Sequence, residues 1–550
     1  MILSVSIRDK WIGQSHLFSG LTLSVGENEK VALIGRNGAG KSTLFRILSG
    51  EEDFDGEIVR KKGVSLAFTL QEHYAVQDVP VIDYVLNALP DYVKLQSEIS
   101  MEEHGHGGTA QTAREYSDPR RKFAELGYFG IRDRIISQLA AYQIPESRCL
   151  DTFSSLSGGE KRYVDMVKVM FSQADLLCLD EPTNHMDYEG KSAFIDWLRG
   201  TRKSVLVITH DRDVLEVVDR IVELKDRKAE SSKGNYGAYL KRNKDTTVVR
   251  ITQHEEALRK KELLEKSILS ARAKKASNPR ARHQEERLVK EYESLEATLQ
   301  KPSFWIDAES GSQLDNKSRE KYLKYKDKTI RISGNGGVER HSRNLLSVEN
   351  LKLGYGIPLL QGLHFSVHSG NRVLLKGRNG AGKTTLINTI LSEYDGLSPD
   401  ATIYSGGVHI DEKLKIGVYE QELDPRYLNM TAGQAVADKY AQNGTNLSNE
   451  QLYRIMSEFL FDPVHDSDLP VGLLSGGEKA RIQIICMFAN SPDLLVLDEP
   501  TNHLDLPSIE ELERALLSFS GAILYVSHDS FFNRKISDRV IELERFRSAK

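Results

Sequence analysis

The chain has 550 residues, which is long enough for two hydrophobic cores of about 200 residues each. Its formal net charge of -5 means that any contact with nucleic acid has to rest on a local basic patch. Three scattered cysteines argue against a disulfide framework, a zinc site or an iron–sulfur cluster, and they fit a reducing cytoplasm. The N-terminal residues alternate like a strand, unlike a signal peptide, and no apolar run approaches the ~18 residues of a membrane span.

The chain carries one sequence twice, which predicts a duplicated domain. Five motifs recur in the same order: Gly35-Arg36-Asn37-Gly38-Ala39-Gly40-Lys41-Ser42 as Gly377-Arg378-Asn379-Gly380-Ala381-Gly382-Lys383-Thr384, Gln71 as Gln421, residues 156–161 as 474–479, residues 179–187 as 497–505, and His210-Asp211 as His528-Asp529. The two glutamines lie 350 residues apart and the later motifs lie 318 apart. The first copy therefore holds 32 additional residues between Gln71 and Leu156.

Short apolar runs bounded by turn signals predict buried strands in both copies. They cover residues 30–34, 176–179 and 204–209 in the first copy and 372–376, 494–497 and 522–527 in the second. The first strand of each set leads into a glycine-rich loop and a helix, and the last delivers a histidine at its C-terminal end. Ligands of open α/β sheets bind at that edge. We therefore predict an α/β fold with two P-loop domains.

The pattern Gly-x-x-x-x-Gly-Lys-[Ser/Thr] between a strand and a helix predicts a phosphate-binding loop, and a glycine-rich turn without a ligand is the alternative. Backbone N–H groups of such a loop surround phosphates, its lysine (Lys41 or Lys383) reaches the β- and γ-phosphates, and its hydroxyl (Ser42 or Thr384) ligates Mg²⁺. The candidate nucleotide-binding residues are Gly35, Asn37, Gly38, Gly40, Lys41, Ser42 and Thr43, with Gly377, Asn379, Gly380, Gly382, Lys383, Thr384 and Thr385.

A pair of carboxylates ends one predicted strand in each copy. Asp180 and Asp498 are placed to hold Mg²⁺, directly or through water. The adjacent Glu181 and Glu499 should point elsewhere along the pleat and polarise a water toward the γ-phosphate. Together with the phosphate loop, these acids predict a hydrolytic site.

Leu-Ser-Gly-Gly-Glu, present in both copies, makes the sequence resemble the ATP-binding cassette (ABC) superfamily. In that family two cassettes pair head to tail. The resemblance implies that Ser475, Gly476 and Gly477 cap ATP on Lys41, and that Ser157, Gly158 and Gly159 cap ATP on Lys383. It also implies that Gln71 and Gln421 sense Mg²⁺ and the attacking water, and that His210 and His528 contact the γ-phosphate.

The ABC family also stacks an aromatic side chain on adenine. Trp11 and Tyr355 are the best candidates for this role, but they stand at different distances before their phosphate loops. Aromatic residues that merely pack on a strand remain the alternative.

Two further segments resemble the ABC-F branch, whose soluble tandem cassettes act on ribosomes. The first is Asp-Glu-Pro-Thr-Asn-His-[Met/Leu]-Asp in both copies, where Met186 departs from the usual leucine. The second is Lys233-Gly234-Asn235-Tyr236-Gly237-Ala238-Tyr239-Leu240, which resembles the segment leading into the family's linker.

The linker itself, residues 245–328, is highly charged. Residues 250–300 predict two helices around the turn Ser277-Asn278-Pro279, with one apolar stripe on each helix, and hence an antiparallel coiled-coil hairpin. Seven cations and two acids lie between positions 271 and 290, so the predicted tip is basic. A solvated charged face is one interpretation. The resemblance implies instead that the hairpin enters the ribosomal E site and contacts 23S rRNA and P-site tRNA.

These observations predict a first cassette in residues 1–244 with a short insertion near 90–121, the linker in 245–328, and a second cassette in 344–550. The hypothesis is a cytoplasmic, monomeric ABC-F ATPase with ATP and Mg²⁺ between its own two cassettes and without a stable membrane partner. It binds ribosomes when ATP closes the cassettes. Antibiotic resistance by ribosome protection, a transporter ATPase and a DNA-repair cassette are the alternatives.

Overall fold

The computed structural model describes residues 1–13, 15–69, 78–103, 119–184, 186–274, 279–298, 306–325, 343–419, 423–459, 461–474, 476–502 and 504–547. These residues form two compact units. One contains Met1–Ser231 and the described part of Ile330–Lys550, and the other contains the described part of Ser232–Thr329. Within the described residues, no helix is both long enough and apolar enough to cross a membrane.

The first cassette contains nine strands and eight helices among its described residues. The strands are β1 (Leu3–Ile12), β2 (Ser15–Val25), β3 (Lys30–Gly35), β4 (Asp55–Arg60), β5 (Leu66–Phe68), β6 (Leu176–Asp180), β7 (Ser204–Ile208), β8 (Arg220–Lys225) and β9 (Lys228–Lys233). The helices are α1 (Lys41–Ser49), α2 (Val81–Leu86), α3 (Tyr92–Glu103), α4 (Pro119–Glu125), α5 (Ile131–Ala141), α6 (Gly158–Phe171), α7 (Tyr188–Gly200) and α8 (Arg212–Leu215).

The second compact unit is helical. Its helices are α9 (Tyr236–Lys274), α10 (Pro279–Thr298), α11 (Ala308–Ser312) and α12 (Asn316–Tyr325).

The second cassette repeats the first with fewer helices. Its strands are β10 (Asn344–Tyr355), β11 (Ile357–His368), β12 (Arg372–Lys376), β13 (Thr402–Ile410), β14 (Ile416–Tyr419), β15 (Leu494–Asp498), β16 (Ala522–Val526) and β17 (Arg539–Glu542). Its helices are α13 (Lys383–Tyr394), α14 (Pro425–Leu428), α15 (Ala432–Gln442), α16 (Asn449–Glu458), α17 (Gly476–Met487), α18 (Leu506–Ser518) and α19 (Ser530–Ile536). Short 3₁₀ turns occur at Glu146–Arg148, Phe153–Ser155, Val471–Leu473 and Leu543–Phe546.

Each cassette combines a parallel sheet with a three-stranded antiparallel sheet. The parallel sheets have the orders β5-β6-β7-β3-β8, to which β9 is added, and β14-β15-β16-β12-β17. The antiparallel sheets have the orders β2-β1-β4 and β11-β10-β13. The identical strand order confirms the duplicated α/β fold that the repeat predicts.

Both faces of the parallel sheets are buried, which explains why their strands read as continuous apolar runs. In β12, Val373 and Leu375 belong to the core shared with the antiparallel sheet, whereas Leu374 belongs to the core beneath the helices. Successive side chains alternate between the two layers, as a pleated strand requires. The strand that leads into each phosphate loop therefore lies in the middle of its domain.

The first cassette contains two helices, α3 and α4, in the stretch where the sequence places the insertion. They contact each other, and Tyr92 and Phe123 bring their rings to 5.6 Å between centroids. The corresponding connection in the second cassette, residues 443–448 between α15 and α16, contains no helix. Residues 104–118 of this stretch, which include His104 and His106, lie outside the described residues.

Helices α9 and α10 form the hairpin that the sequence predicts, and α9 is longer than the helix predicted from the apolar stripe. Tyr292 Oη donates to Glu265 Oε1 at 2.9 Å and Arg272 Nε donates to Glu285 Oε1 at 3.0 Å, so α9 and α10 run antiparallel. The helix α9 begins at Tyr236, ahead of the predicted residue 250, because the Asn235 carboxamide caps it by accepting from the Ala238 amide at 3.2 Å. The hairpin unit therefore begins earlier than the predicted position 245.

The apolar stripes of the hairpin face each other in part. Leu264, Ile268 and Ala271 of α9 are buried, and Leu288 and Leu295 of α10 are half-buried. Of the predicted basic tip, the structure describes the side chains of Arg272, Arg287 and Lys290, all of them exposed. The side chains of Lys274, Lys275, Arg280 and Arg282 lie outside the described part, as do residues 299–305 and 326–342.

The base of the hairpin unit has a small core of its own, formed by Ile251, Ile306 and Tyr322. The Ile306 amide donates to the buried Tyr322 hydroxyl at 3.0 Å. This hydroxyl is the partner of a backbone group that would otherwise lie unsatisfied away from water.

Replacing Tyr322 by Phe should lower the free energy of local unfolding at Ile306 by about 1–3 kcal/mol, because a buried N–H group loses its partner. Amide hydrogen exchange at Ile306 measures this change. Tyr453→Phe, at an exposed tyrosine of α16, is the control and should leave exchange at Ile306 unaltered. Equal exchange in wild type and Tyr322→Phe would show that the hydroxyl contributes nothing.

Candidate nucleotide sites between the two cassettes

Each phosphate loop curls around its own lysine. Lys41 Nζ donates to the carbonyls of Gly35 at 2.7 Å and Arg36 at 3.2 Å. Lys383 Nζ donates to the carbonyls of Gly377 at 2.8 Å and Arg378 at 2.9 Å. Burial lowers the pKa of both lysines, and nearby carboxylates offset part of this effect. The two ammonium groups lie where the sequence motif requires them.

Glycine is required at the last loop position before each helix. Gly40 and Gly382 cap α1 and α13 with φ of 93° and 91°, in the left-handed region that favours glycine. A Cβ atom on Gly40 would lie 2.6 Å from the Phe18 ring, and one on Gly382 would lie 3.3 Å from Leu360. The antiparallel sheet of each cassette therefore packs directly on the phosphate loop. Ser42 and Thr43, and Thr384 and Thr385, follow in the first turns of the two helices.

The acids that end the central strands lie beside the loops. In the second cassette, Thr384 Oγ1 donates to Asp498 Oδ2 at 3.0 Å, so these two candidate Mg²⁺ ligands are adjacent. Asp180 and Asp498 end β6 and β15. Carboxylate and hydroxyl oxygens at this spacing are ligands that suit Mg²⁺.

A left-handed backbone, rather than the pleat of the strand, orients the two candidate catalytic glutamates. Glu181 and Glu499 have φ of 45° and 49°, which is unusual for residues with a side chain. Their amides donate to the carbonyls of Ile208 at 2.9 Å and Val526 at 3.0 Å, which holds this conformation. Such strain costs about 1–3 kcal/mol and is concentrated at functional sites.

Each glutamate faces the histidine that the sequence pairs with it. His210 Nε2 lies 3.7 Å from Glu181 Oε1, and His528 Nε2 lies 3.2 Å from Glu499 Oε1. Burial raises the pKa of Glu181 to about 8 and that of Glu499 to about 7. Burial also lowers the pKa of each histidine to about 3, so both imidazoles are neutral near pH 7. Desolvation thus dominates the electrostatics of both sites.

Several buried polar atoms here have no hydrogen-bond partner within the part of the chain that the structure describes. They are both ring nitrogens of His210 and the Oε1 atom of Glu499. Buried polar groups are nearly always satisfied, and those that are not call for an explanation. A polar ligand such as a triphosphate with Mg²⁺ fits these groups, the two lysines and the neighbouring acids.

The last aspartate of each Asp-Glu-Pro-Thr-Asn-His motif reaches the phosphate loop of the opposite cassette. Asp505 Oδ2 accepts from the Asn37 amide at 3.0 Å, and Asp187 Oδ2 accepts from the Asn379 amide at 3.0 Å. Burial by itself would raise the pKa of Asp505, but hydrogen bonds, including those from Ser508 and Asn37, outweigh it and lower the pKa. Sequence reasoning did not place these aspartates in the site. An Asp before a helix predicts only an N-cap, which both also form.

The Leu-Ser-Gly-Gly-Glu segment of the first cassette begins helix α6. Ser157 caps this helix, whose first residues are Gly158 and Gly159, and the Glu160 carboxylate accepts a hydrogen bond from the Ser157 amide at 2.9 Å. Further along α6, the Tyr163 hydroxyl accepts from Asn379 Nδ2 of the second phosphate loop at 3.3 Å. This contact has the direction that head-to-tail pairing implies. In the second cassette, α17 begins at Gly476 and contains Gly477.

A cavity of about 520 Å³ lies beside Lys41, a volume in the range of small-molecule sites. Both cassettes line it. The first cassette contributes Ile12, Leu17, Asn37, Gly38, Gly40, Lys41, Ser42, Thr43, Asp180, Glu181, Thr183, Asn184, Met186, Lys191, Ile208, His210 and Asp211, and the second contributes Glu499, Thr501, Asn502, Leu504, Ile509, His528 and Asp529. A nucleotide on Lys41 would therefore touch both cassettes.

The proposed adenine platforms are exposed. Trp11 and Tyr355 are each 55% exposed, and the Trp11 ring stacks on His16 with 4.1 Å between centroids. The apolar side chains that line the cavity from the same hairpin are Ile12 and Leu17. The adenine role of both aromatic residues stays a prediction. Gln71, Gln421 and Ser475 lie outside the described residues.

Replacing Asp505 by Ala should lower ATP turnover about tenfold, because a charge-assisted hydrogen bond between the cassettes is lost. Steady-state phosphate release measures the effect. Ser448→Ala is the matched control, since the Ser448 hydroxyl caps α16 within the second cassette, where it accepts from the Gln451 amide at 3.3 Å. Each variant should lose about 1 kcal/mol of stability with its cap, but only Asp505→Ala should lose turnover. Equal turnover in the two variants would contradict a role for Asp505 in the site.

A family model described as "ABC transporter" matches residues 18–184 and 360–502. The "Putative ATP-binding protein YdiF" of Bacillus subtilis is 30% identical over 99% of this chain and 80% of its own length. The "Energy-dependent translational throttle protein EttA" of Mycobacterium tuberculosis is 30% identical over 97% of this chain and 89% of its own length. "ATP-binding protein Uup" of Escherichia coli is 30% identical over 96% of this chain and 78% of its own length.

Solved structures share the fold. A crystal structure of archaeal ribosomal stalk protein aP1 with the archaeal ribosome recycling factor aABCE1 contains a chain that matches with a TM-score of 0.59 and 17% identity. The match covers 97% of this chain and 86% of that chain. A structure described as "RNase-L Inhibitor" matches with a TM-score of 0.57 and 18% identity, over 98% of this chain and 87% of that one.

Proposed function

Because this chain belongs to the ABC-F family of tandem ATP-binding cassette ATPases, we propose that it uses ATP-driven closure of its cassettes to bind the ribosome and ATP hydrolysis to leave it. It binds and hydrolyses ATP, as the family does. The main support for this mechanism is a pair of equivalent contacts between the cassettes. Asp505 and Asp187 each accept a hydrogen bond from the phosphate loop of the opposite cassette. The protein acts in the cytoplasm as a monomer whose two cassettes pair with each other.

The two nucleotide sites are composite. In the first, the loop around Lys41 and the hydroxyl of Ser42 hold the phosphates, and Ser475, Gly476 and Gly477 cap them. In the second, the loop around Lys383 and Thr384 holds the phosphates, and Ser157, Gly158 and Gly159 cap them. The proposed Mg²⁺ ligands are Ser42, Gln71 and Asp180 in one site and Thr384, Gln421 and Asp498 in the other. The ion supplies positive charge beside the phosphate oxygens.

Glu181 and Glu499 act as general bases. Each accepts a proton from the water whose oxygen bonds to the γ-phosphorus, while the bond to the bridging oxygen of ADP breaks. Burial suits this role, because it raises the pKa of each carboxylate, and the positive charge of the nearby lysine offsets part of this effect. The neutral ring of His210 or His528 can donate a hydrogen bond to the γ-phosphate from one nitrogen.

Closure depends on the γ-phosphate. Two cassettes that each contribute groups to both nucleotides make more contacts with ATP when closed than when open. A ligand shifts a conformational equilibrium only by its differential affinity for the two states. Hydrolysis removes the γ-phosphate from these contacts and so favours opening.

The hairpin α9–α10 is the proposed ribosome-binding element. The exposed side chains of Arg287 and Lys290 belong to its basic tip, and cations on a rigid arm bind phosphate groups of structured RNA. The translational role in the name of the mycobacterial relative supports a ribosomal partner. The finer proposal is that the tip enters the E site and contacts 23S rRNA and P-site tRNA.

Replacing Glu181 and Glu499 together by Gln should trap the closed state, because ATP still binds but its hydrolysis is blocked. We expect the double variant to sediment with ribosomes in the presence of ATP and to stay in the supernatant without it. Glu51→Gln with Glu412→Gln, at two exposed positions, is the matched control and should behave like wild type. A double variant that sediments free of ribosomes, or with membranes, would refute the proposal.

Replacing Arg287 and Lys290 by Glu should weaken ribosome binding of the trapped variant by about tenfold and flatten its dependence on salt. The control reverses two exposed cations of the cassettes, Lys62 and Lys413, and gives the same change in net charge. When Glu181 and Glu499 are intact, both sets of replacements should leave ATP hydrolysis in the absence of ribosomes at the wild-type rate. Equal loss of binding in the two forms would mean that bulk charge, and not the hairpin, carries the contact.

A further inference from the structure

The interface between the cassettes contains a buried ionic cluster that breaks the symmetry of the repeat. Two cations of the first cassette, Lys191 and Arg212, lie within it, and each is 6% exposed. We call these two residues the cationic clamp. Both reach the segment of the second cassette that follows strand β16 and contains His528 and Asp529.

Lys191 joins the histidine segments of both cassettes. Its ammonium group lies 2.9 Å from Asp211 Oδ1 and 2.6 Å from Asp213 Oδ2, in its own cassette. It also donates across the interface to the main-chain carbonyl of His528 at 3.2 Å. Burial by itself would lower the pKa of Lys191, but the two aspartates outweigh it and hold the pKa above its ordinary value. The lysine is therefore charged where it meets His528.

Arg212 binds Asp529, the residue that follows His528. One guanidinium nitrogen, Nη2, donates to Asp529 Oδ2 at 2.9 Å and to Glu513 Oε1 at 2.7 Å, and the Glu513 side chain is fully buried. Lys535 Nζ donates to the other oxygen of Glu513 at 2.6 Å. In the reverse direction, Ser530 Oγ donates to Asp213 Oδ1 at 2.5 Å. Charge-assisted hydrogen bonds in a buried setting are among the strongest in proteins.

The positions that match the clamp in the second cassette carry no charge. Moved by the repeat interval of 318 residues, Lys191 corresponds to Ile509 and Arg212 to Ser530. Ile509 is 3% exposed and belongs to an apolar core. The first cassette therefore places two cations on the histidine segment of the second, and the matching positions of the second cassette place no cation on the first.

We propose that Lys191 and Arg212 are positioning residues for the ATP site on Lys383, so that the first cassette controls hydrolysis there and the two sites turn over at unequal rates. The segment that the clamp contacts is bonded directly to the candidate catalytic glutamate. The His528 amide donates to Glu499 Oε2 at 3.2 Å, and the His528 ring lies 3.2 Å from Glu499 Oε1. Holding the segment at its carbonyl and at Asp529 therefore holds Glu499. The inference rests on the roles proposed above for Glu181 and Glu499.

Site-resolved single-turnover hydrolysis tests the proposal. Glu181→Gln leaves only the site on Lys383 active, and Glu499→Gln leaves only the site on Lys41 active. The clamp is removed as charge-balanced pairs, Lys191→Met with Asp213→Asn and Arg212→Met with Glu513→Gln, because a single replacement would leave a buried carboxylate uncompensated. We expect both pairs to slow the Glu181→Gln form at least tenfold. The comparison between the two forms rests on Arg212→Met with Glu513→Gln, which removes no side chain that lines the Lys41 cavity and should leave the Glu499→Gln form within twofold.

Equal slowing of both forms would overturn the proposal, since a merely structural role in the interface affects both sites alike. Ser530→Ala is the matched control: it removes a hydrogen bond of the same interface and should slow neither form by more than twofold. Arg212→Lys keeps the charge and should restore most of the rate that Arg212→Met with Glu513→Gln loses.

A second measurement does not depend on the catalytic glutamates. With a non-hydrolysable ATP analogue, Arg212→Met with Glu513→Gln should raise amide hydrogen exchange at residues 528–530 at least tenfold. Unchanged exchange there would refute the positioning role. Hydrolysis that persists when both Glu181 and Glu499 are Gln would instead refute the proposed catalytic roles. In that case the exchange measurement alone would test the positioning role of the clamp.

Discussion

Both nucleotide sites depend on the same kind of contact between the cassettes. In each, a carboxylate of one cassette accepts a hydrogen bond from a backbone amide of the other. Asp505 meets the Asn37 amide and Asp187 meets the Asn379 amide, both at 3.0 Å. Because the amides belong to the phosphate loops, neither loop is complete within its own cassette. Because the same aspartates cap α18 and α7, the contact is fixed to rigid helices. In the proposed mechanism these contacts couple nucleotide binding to cassette pairing.

Burial sets the protonation of the groups that these contacts enclose. The same desolvation that raises the pKa of Glu181 and Glu499 keeps His210 and His528 neutral. A carboxylate with a pKa near neutral can accept a proton at working pH. Both glutamates have a strained, left-handed backbone, so this placement costs conformational free energy at these two residues.

The two cassettes have one strand order, but the interface between them is not symmetric. The phosphate loops, acids and histidines occur in both copies. The clamp residues do not, because Lys191 corresponds to Ile509 and Arg212 corresponds to Ser530 in the second copy. Positions inside each site are constrained by the same chemistry in both copies. Positions on the interface contact unlike surfaces in the two cassettes, so they are free to differ.

The sequence by itself determined the fold class and the repeat, and it predicted the groups at each site, because phosphate loops and strand-ending acids are local patterns with local causes. It also indicated the hairpin, through apolar stripes that require a partner helix. Only the tertiary structure decided which cassette each interface residue serves. Asp505 lies 468 residues from Asn37 in the chain, and Arg212 lies 301 from Glu513. Neither a helix cap nor a charged residue carries a sequence signal for so distant a partner.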